Sequence, residues 1–215
     1  MLASLRKDTL EGKMAGDEAH VPAVLTQSID PNLYIRSCPA AATTLGTFFH
    51  HVREAVTEST GSLPYRLFTG LTRESWISFR SYQLREFMQL LVNAARILHA
   101  DQPLGEGLRR LGWLAYPSFA STMAGRVVLF AFGEGLEQMA EALPKAYTLG
   151  VPDAHVEVKK LALRHYRVRY SNVHCFVDTY HLGVIEGAFK AQHIVPHLIV
   201  RPGKRICDAE VEGYW

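Results

Sequence analysis

The residues able to do chemistry in this chain are ten histidines and three cysteines, and their spacing builds no self-sufficient site. Cys38, Cys175 and Cys207 form no C-x-x-C pair, so zinc ribbons and thioredoxin-like motifs are excluded. One disulfide could form, but free thiols are the better reading. His174-Cys175 with His181, or His193-x-x-x-His197, could be combined into a zinc site. On a helix, His174 and His181 would stand two turns apart, about 10 Å along the axis. Pro196 interrupts the second set. We therefore expect no metal. Cys175 beside His174 resembles a nucleophile and its base, but adjacent side chains usually point apart and no orienting acid is specified. A helix N-terminus there could lower the thiol pKa; a buried, inert thiol is the plainer reading.

The segment Tyr180-His-Leu-Gly-Val-Ile-Glu-Gly-Ala-Phe-Lys-Ala191 carries a different signal. Gly183 and Gly187 lie one turn apart, which lets another backbone approach closely; packing is the plain reading, a ligand over the glycines the sharper one. Glu186 falls in line with Leu182, Ile185 and Phe189 at helical spacing. A carboxylate on such a helix needs a partner. Arg126 is the expected one, being the only charge between Arg110 and Glu134. Either this pair fixes helix register, or it lines a pocket. Arg126, Tyr180, Gly183, Glu186 and Gly187 are thus the candidate ligand-binding residues. No catalytic residue and no cofactor is assigned.

Lys159, Lys160, Arg164, Arg167 and Arg169, interleaved with Tyr166 and Tyr170, look superficially like a nucleic-acid platform. In a strand, however, alternate residues face opposite ways, so rings and charges share no surface. A net charge of +2 adds no broad electrostatic footprint, and we expect no nucleic-acid partner.

The elements that must position these residues come from periodicity. The 215 residues, 48% apolar and 20% charged, suit one globular domain rather than a disordered or collagen-like chain. Residues 1–20 show no apolar period and read as a flexible arm before a single domain over 21–215. The longest uncharged stretches, Ser37–Val52 and Leu111–Gly125, are too short for a membrane span. With no secretory leader, a cytoplasmic protein is expected.

Val21–Pro39, with three prolines, reads as irregular or short extended structure and Ala40–Thr57 as a helix. Ser81–Ala100 is the clearest helix, capped by Ser81 and apolar on most sides, hence central. Pro103 opens a short helix ending at a left-handed Gly112. A helix then runs from about Pro117 to Phe132, and another over Leu136–Tyr147. Alternation predicts strands within 154–171 and 197–213, the latter about a Pro202-Gly203 turn. Cys175–Gln192 is the helix between them. Segregated helices and strands predict α+β: a helical layer on a four-stranded antiparallel sheet.

Pro103–Gly133, with Pro-Leu, Leu-Arg-Arg-Leu-Gly, Tyr-Pro and Gly-Arg in register, together with Tyr180–Ala191 and a terminal Trp215, resembles a paralogous family of uncharacterised myxobacterial proteins. The resemblance spans roughly Trp76 to Trp215. Its helices–ββ–α–ββ order is similar to that of haem/nitric-oxide-binding domains, 4-vinyl-reductase domains and TRAPP subunits. This resemblance implies a small-ligand sensor or a dimeric scaffold. The haem-binding relatives carry a Tyr-x-Ser-x-Arg propionate motif, and Tyr170-Ser171-Asn172 does not match it. The expected function is a non-enzymatic ligand-sensing or regulatory domain for a small, mostly apolar molecule. An interaction scaffold with a filled core and an unrecognised enzyme are the alternatives. A homodimer is expected, because 40–57 and 81–100 carry more apolar residues than one layer over a small sheet can hide.

Overall fold

The computed structural model describes residues 29–132, 135–151 and 153–215. The arm expected over 1–20 lies outside the described residues. Among those described, the chain runs α1 (Pro31–Ser37), β1 (Thr43–Leu45), α2 (Gly46–Thr60), a 3-10 turn (Tyr65–Phe68), β2 (Ser81–Gln83), α3 (Leu84–Leu98), α4 (Leu104–Gly112), α5 (Ala115–Ser121), α6 (Met123–Phe132), α7 (Leu136–Gly150), β3 (His155–Ala162), β4 (His165–Ser171), α8 (Tyr180–Ala191), β5 (His197–Pro202) and β6 (Ala209–Tyr214). The fold is α+β, as the periodicity predicts.

Within the stretch read as irregular, Asp30 caps α1 through its carboxylate and Pro31 opens the helix. The two long N-terminal helices begin later than their apolar spacing suggests. Thr43–Leu45 and Ser81–Gln83 pair antiparallel, with Thr44 opposite Tyr82. Ser81 therefore belongs to a strand and caps nothing. This two-stranded clip sets α2 beside α3.

α3 is central, as expected: nine of its residues, from Leu84 to Ala95, are buried. Phe49, Trp76, Leu67 and Leu108 pack into the same cluster, where the Phe49 and Trp76 rings stack at 4.6 Å. Asn93 is buried here too, and its amide donates to the Leu67 and Thr69 carbonyls at 2.9 Å each. The apolar surplus of segments 40–57 and 81–100 thus goes into a helical core of their own. That removes the argument by which those segments call for a dimer.

The single helix expected from Pro117 to Phe132 is two. Thr122 is extended and ends α5, and its hydroxyl accepts from the Gly125 amide to start α6.

The four expected strands form one antiparallel sheet in the order β3-β4-β6-β5. Val168 lies opposite Val211, and Tyr170 opposite Ala209. These inward residues join Val156, Leu198, and Leu182 and Phe189 of α8 in a second core. The outward face carries Arg167, Arg169 and Arg201 against Glu157, Glu210 and Glu212. Of the expected basic stripe, Arg167 and Arg169 are thus paired by neighbouring strands and Lys160 by Glu137 of α7.

Three local expectations fail. α8 starts at Tyr180, not Cys175, because 174–179 form turns with Phe176 at φ 51°. A phenylalanine rarely adopts that conformation; here its fully buried ring packs on Tyr34 at 5.2 Å. Pro202-Gly203 makes no tight turn: the β5–β6 connection is a six-residue loop over 203–208, closed by Gly203 N–H to the Asp208 carbonyl and an Arg205–Asp208 ion pair. Gly112 is not left-handed, since only Gly61 and Gly70 among the described glycines have positive φ. Its lack of a side chain matters because a Cβ would stand 2.1 Å from the Tyr180 carbonyl.

Candidate functional site

Where the two cores meet, they leave a cavity of about 180 Å³ that opens to solvent. α2, α3, α5, α7 and α8 wall it on one side and the inner sheet face with Trp215 on the other. The sequence makes this wall apolar through the inward stripes of each element. Phe87 comes from α3, Phe119 from α5, Met139 and Leu143 from α7, and Ile185 and Phe189 from α8. None of the described lining residues is Asp, Glu, Lys or Arg.

Polarity is confined to a few side chains, and the centre of them is His181. It is 5% exposed and ringed by Tyr147, Tyr170 and Tyr180, with centroids at 5.2, 6.0 and 5.3 Å. Its Nδ1 is hydrogen-bonded to the Tyr147 hydroxyl across the α7–α8 junction. Its Nε2 is buried without a hydrogen-bond partner. Burial pushes the His181 pKa down from 6.5 to about 3. Burial also pushes up the Tyr147 and Tyr180 hydroxyls and the Cys175 thiol. All four groups are therefore neutral at pH 7. Cys175 gains no helix N-terminus and no lowered pKa, contrary to the activated-thiol reading. Sequence reasoning met His181 only as a metal ligand; no metal-holding group of three His, Cys, Asp or Glu exists among the described residues. The signal that was available is a histidine in line with Ile185 and Ala188, at i, i+4 and i+7 on one apolar face of α8.

Of the five ligand-binding candidates, the structure puts Tyr180 on the cavity wall and the other four elsewhere. Gly183 and Gly187 face α4. A Cβ at Gly183 would lie 1.9 Å from the Arg109 carbonyl, and one at Gly187 2.6 Å from that of Trp113. The glycines thus let two helix backbones touch.

That crossing also decides the partner of Glu186. Arg109 and Trp113 sit where the backbones meet. The Glu186 carboxylate accepts from Arg109 Nη1 at 2.7 and 2.8 Å and from Trp113 Nε1 at 2.6 Å. Arg109 is shared with Glu106, which also binds Arg110. Burial opposes the Glu106 charge, but the two guanidiniums outweigh it and hold the carboxyl below its usual range. Lys190 Nζ lies 4.1 Å over the Trp113 ring. Arg126 is not part of this network: it lies on the exposed side of α6. Being the only charge in an apolar stretch placed it at the solvent face, which is the ordinary reason for such a charge.

This fold is similar to that of solved H-NOX domains. An H-NOX protein from S. oneidensis in the Fe(II)NO ligation state is 16% identical with a TM-score of 0.60, covering 79% of this chain and 97% of that one. An unliganded Fe(II) H-NOX mutant from K. algicida is 15% identical with a TM-score of 0.60, covering 79% and 95%. An oxygen-binding H-NOX domain related to soluble guanylate cyclases is 15% identical with a TM-score of 0.57, covering 78% and 92%. The chain itself belongs to the family described as protein of unknown function DUF2378, whose model matches residues 40–204. No curated protein matches the sequence.

Haem is the group this fold family implies. His181 is a neutral imidazole of a type that can bind iron. The two haem propionates, however, would meet no Arg or Lys among the described residues of the cavity wall. The cavity of about 180 Å³ is also below the roughly 300–1,000 Å³ usual for drug-sized ligands. The residues present do not fit haem.

Proposed function

We propose that this chain is a non-enzymatic ligand-sensing or regulatory domain that takes a small, mostly apolar molecule into the cavity between α8 and its neighbours. The observation that carries this reading is a wall free of charged side chains among its described residues, shared by both cores. A ligand there touches α3, α5, α7, α8 and the sheet together, so its binding can bias how the layers pack. The structural neighbours, described in Fe(II), NO and oxygen-ligated states, support a ligand-binding use of this fold. A non-catalytic role is supported by Tyr147, Tyr180, Cys175 and His181, whose pKa values all lie far from neutrality, where general acid–base catalysis works best. Native mass spectrometry compared with the denatured mass tests this, together with titration by an uncharged apolar fluorophore. Saturable one-to-one binding is expected. A protein that carries nothing and takes up no apolar probe refutes the reading.

The scaffold reading keeps one supporting observation. Met123, Val127 and Phe130, spaced i, i+4 and i+7 on α6, are 85%, 64% and 94% exposed. A second copy of the chain covering this stripe makes a homodimer. Light scattering at micromolar concentration should then give twice 24.1 kDa, and a mass of 24.1 kDa rejects it.

A further inference from the structure

We infer that the cavity's ligand carries one uncharged hydrogen-bond-accepting oxygen, held by His181 Nε2–H, on an otherwise apolar skeleton. This rests on the cavity-ligand reading above and specifies its chemistry. Two observations support it independently of each other: what the ring of His181 lacks, and what the wall around it lacks.

The His181 ring stands on the cavity wall with one nitrogen engaged and one not. Nδ1 is bound to Tyr147, whereas Nε2 is buried and unpartnered. A phenol is a stronger acid than a neutral imidazole N–H, and an imidazole nitrogen a better acceptor than a phenol oxygen. Tyr147 therefore donates to Nδ1. The neutral ring then has its proton on Nε2, since the bond at one nitrogen sets the tautomer at the other. The burial that lowers the His181 pKa keeps the ring in this neutral form. A buried N–H without an acceptor is unfavourable, and an oxygen brought by the ligand relieves it.

The wall limits the charge of that oxygen. With no Arg or Lys among its described residues, a carboxylate or phosphate would be desolvated without a counter-ion. With no Asp or Glu there, an ammonium fares no better. Ketones, esters, lactones and ethers remain. The Nε2–H donor, set into a mostly aromatic and aliphatic wall that also carries the unpartnered Tyr166 hydroxyl, orients one such oxygen and discriminates against the bare hydrocarbon.

The test uses the full chain, N-phenyl-1-naphthylamine as the displaced probe, and 2-hexanone, hexane and hexanoate as competitors at pH 7. The affinities of 2-hexanone and hexane are each corrected for the competitor's own water-to-alkane partition, and hexanoate is compared with 2-hexanone without that correction, because desolvation of its charge is the quantity under test. We expect 2-hexanone to exceed hexane at least fivefold, hexanoate to be the weakest, and His181→Phe to bring the first ratio near one. Should that variant not fold, ¹⁵N NMR of the unmodified protein reads the same contact. 2-Hexanone then moves the His181 Nε2–H resonance and hexane leaves it in place. Equal corrected affinities, an unmoved Nε2–H resonance, or hexanoate binding as tightly as the ketone each overturn the inference while leaving the cavity reading intact. A probe that does not bind at all overturns both.

Discussion

Glu186→Ala tests how the α4–α8 crossing is held. The substitution removes three hydrogen bonds, two from Arg109 Nη1 and one from Trp113 Nε1. Breaking a buried ion pair typically costs about 3–5 kcal/mol, because a charge is left without a partner. Two features reduce that here. Arg109 keeps Glu106, at 2.7 Å to Nε and 2.9 Å to Nη2. The Glu186 and Arg109 side chains are also 15% and 14% exposed, so water can replace part of what is lost. About 2–3 kcal/mol remains, from charge-assisted bonds and a stranded Trp113 N–H. With a urea m-value of about 2 kcal/mol/M, the unfolding midpoint falls by about 1 M or more. Arg126→Ala changes an exposed side chain and should stay within about 0.5 kcal/mol. Combining Glu186→Ala with Arg109→Met completes a double-mutant cycle, with an expected coupling of about 1–3 kcal/mol. A midpoint unmoved by Glu186→Ala, or strict additivity with Arg109→Met, refutes the assignment.

Gly183→Ala would place a methyl group 1.9 Å from the Arg109 carbonyl, so α4 and α8 must separate. Overpacking less the gain in helix propensity predicts a loss of about 2 kcal/mol by thermal unfolding, and a stabilised variant contradicts the crossing. Burial lowers the folded-state pKa of His181 to about 3, below its unfolded value of 6.5. Its contribution to stability is complete above pH 6.5 and declines on acidification toward pH 3, by up to about 1.4 kcal/mol per pH unit. By NMR the ring should stay neutral from pH 8 to pH 5; a midpoint near 6.5 contradicts its burial. Finally, the protein purified without added cofactor should lack a stoichiometric Soret band after gel filtration, and such a band would overturn the fit argument against haem.

Much of the fold is legible in short windows. Val168 and Tyr170 alternate with Arg167 and Arg169, a period of two that belongs to a half-buried strand whatever its neighbours. The apolar residues of α3 go nearly all round, which identifies a central helix. Where such windows mislead, the deciding contact is remote. The start of α3 depends on Ser81–Gln83 pairing with Thr43–Leu45, about forty residues earlier, and no periodicity carries that pairing. The turn at 203–208 lengthens because Arg205 and Asp208 form their own ion pair within it.

The candidate site divides along the same line. By itself the sequence determined that α8 is an apolar helix with two small residues a turn apart and one carboxylate needing a partner, since composition and spacing are local properties. Only the tertiary structure decided which helix the glycines admit. That choice sets Arg109, 77 residues away, rather than Arg126, against Glu186. It also decided that Tyr180 and His181 reach the cavity wall while Gly183 and Gly187 meet a backbone. The cavity is a property of two cores meeting, and its one unpartnered nitrogen arises because Tyr147 of α7 arrives at Nδ1 and nothing among the described residues arrives at Nε2.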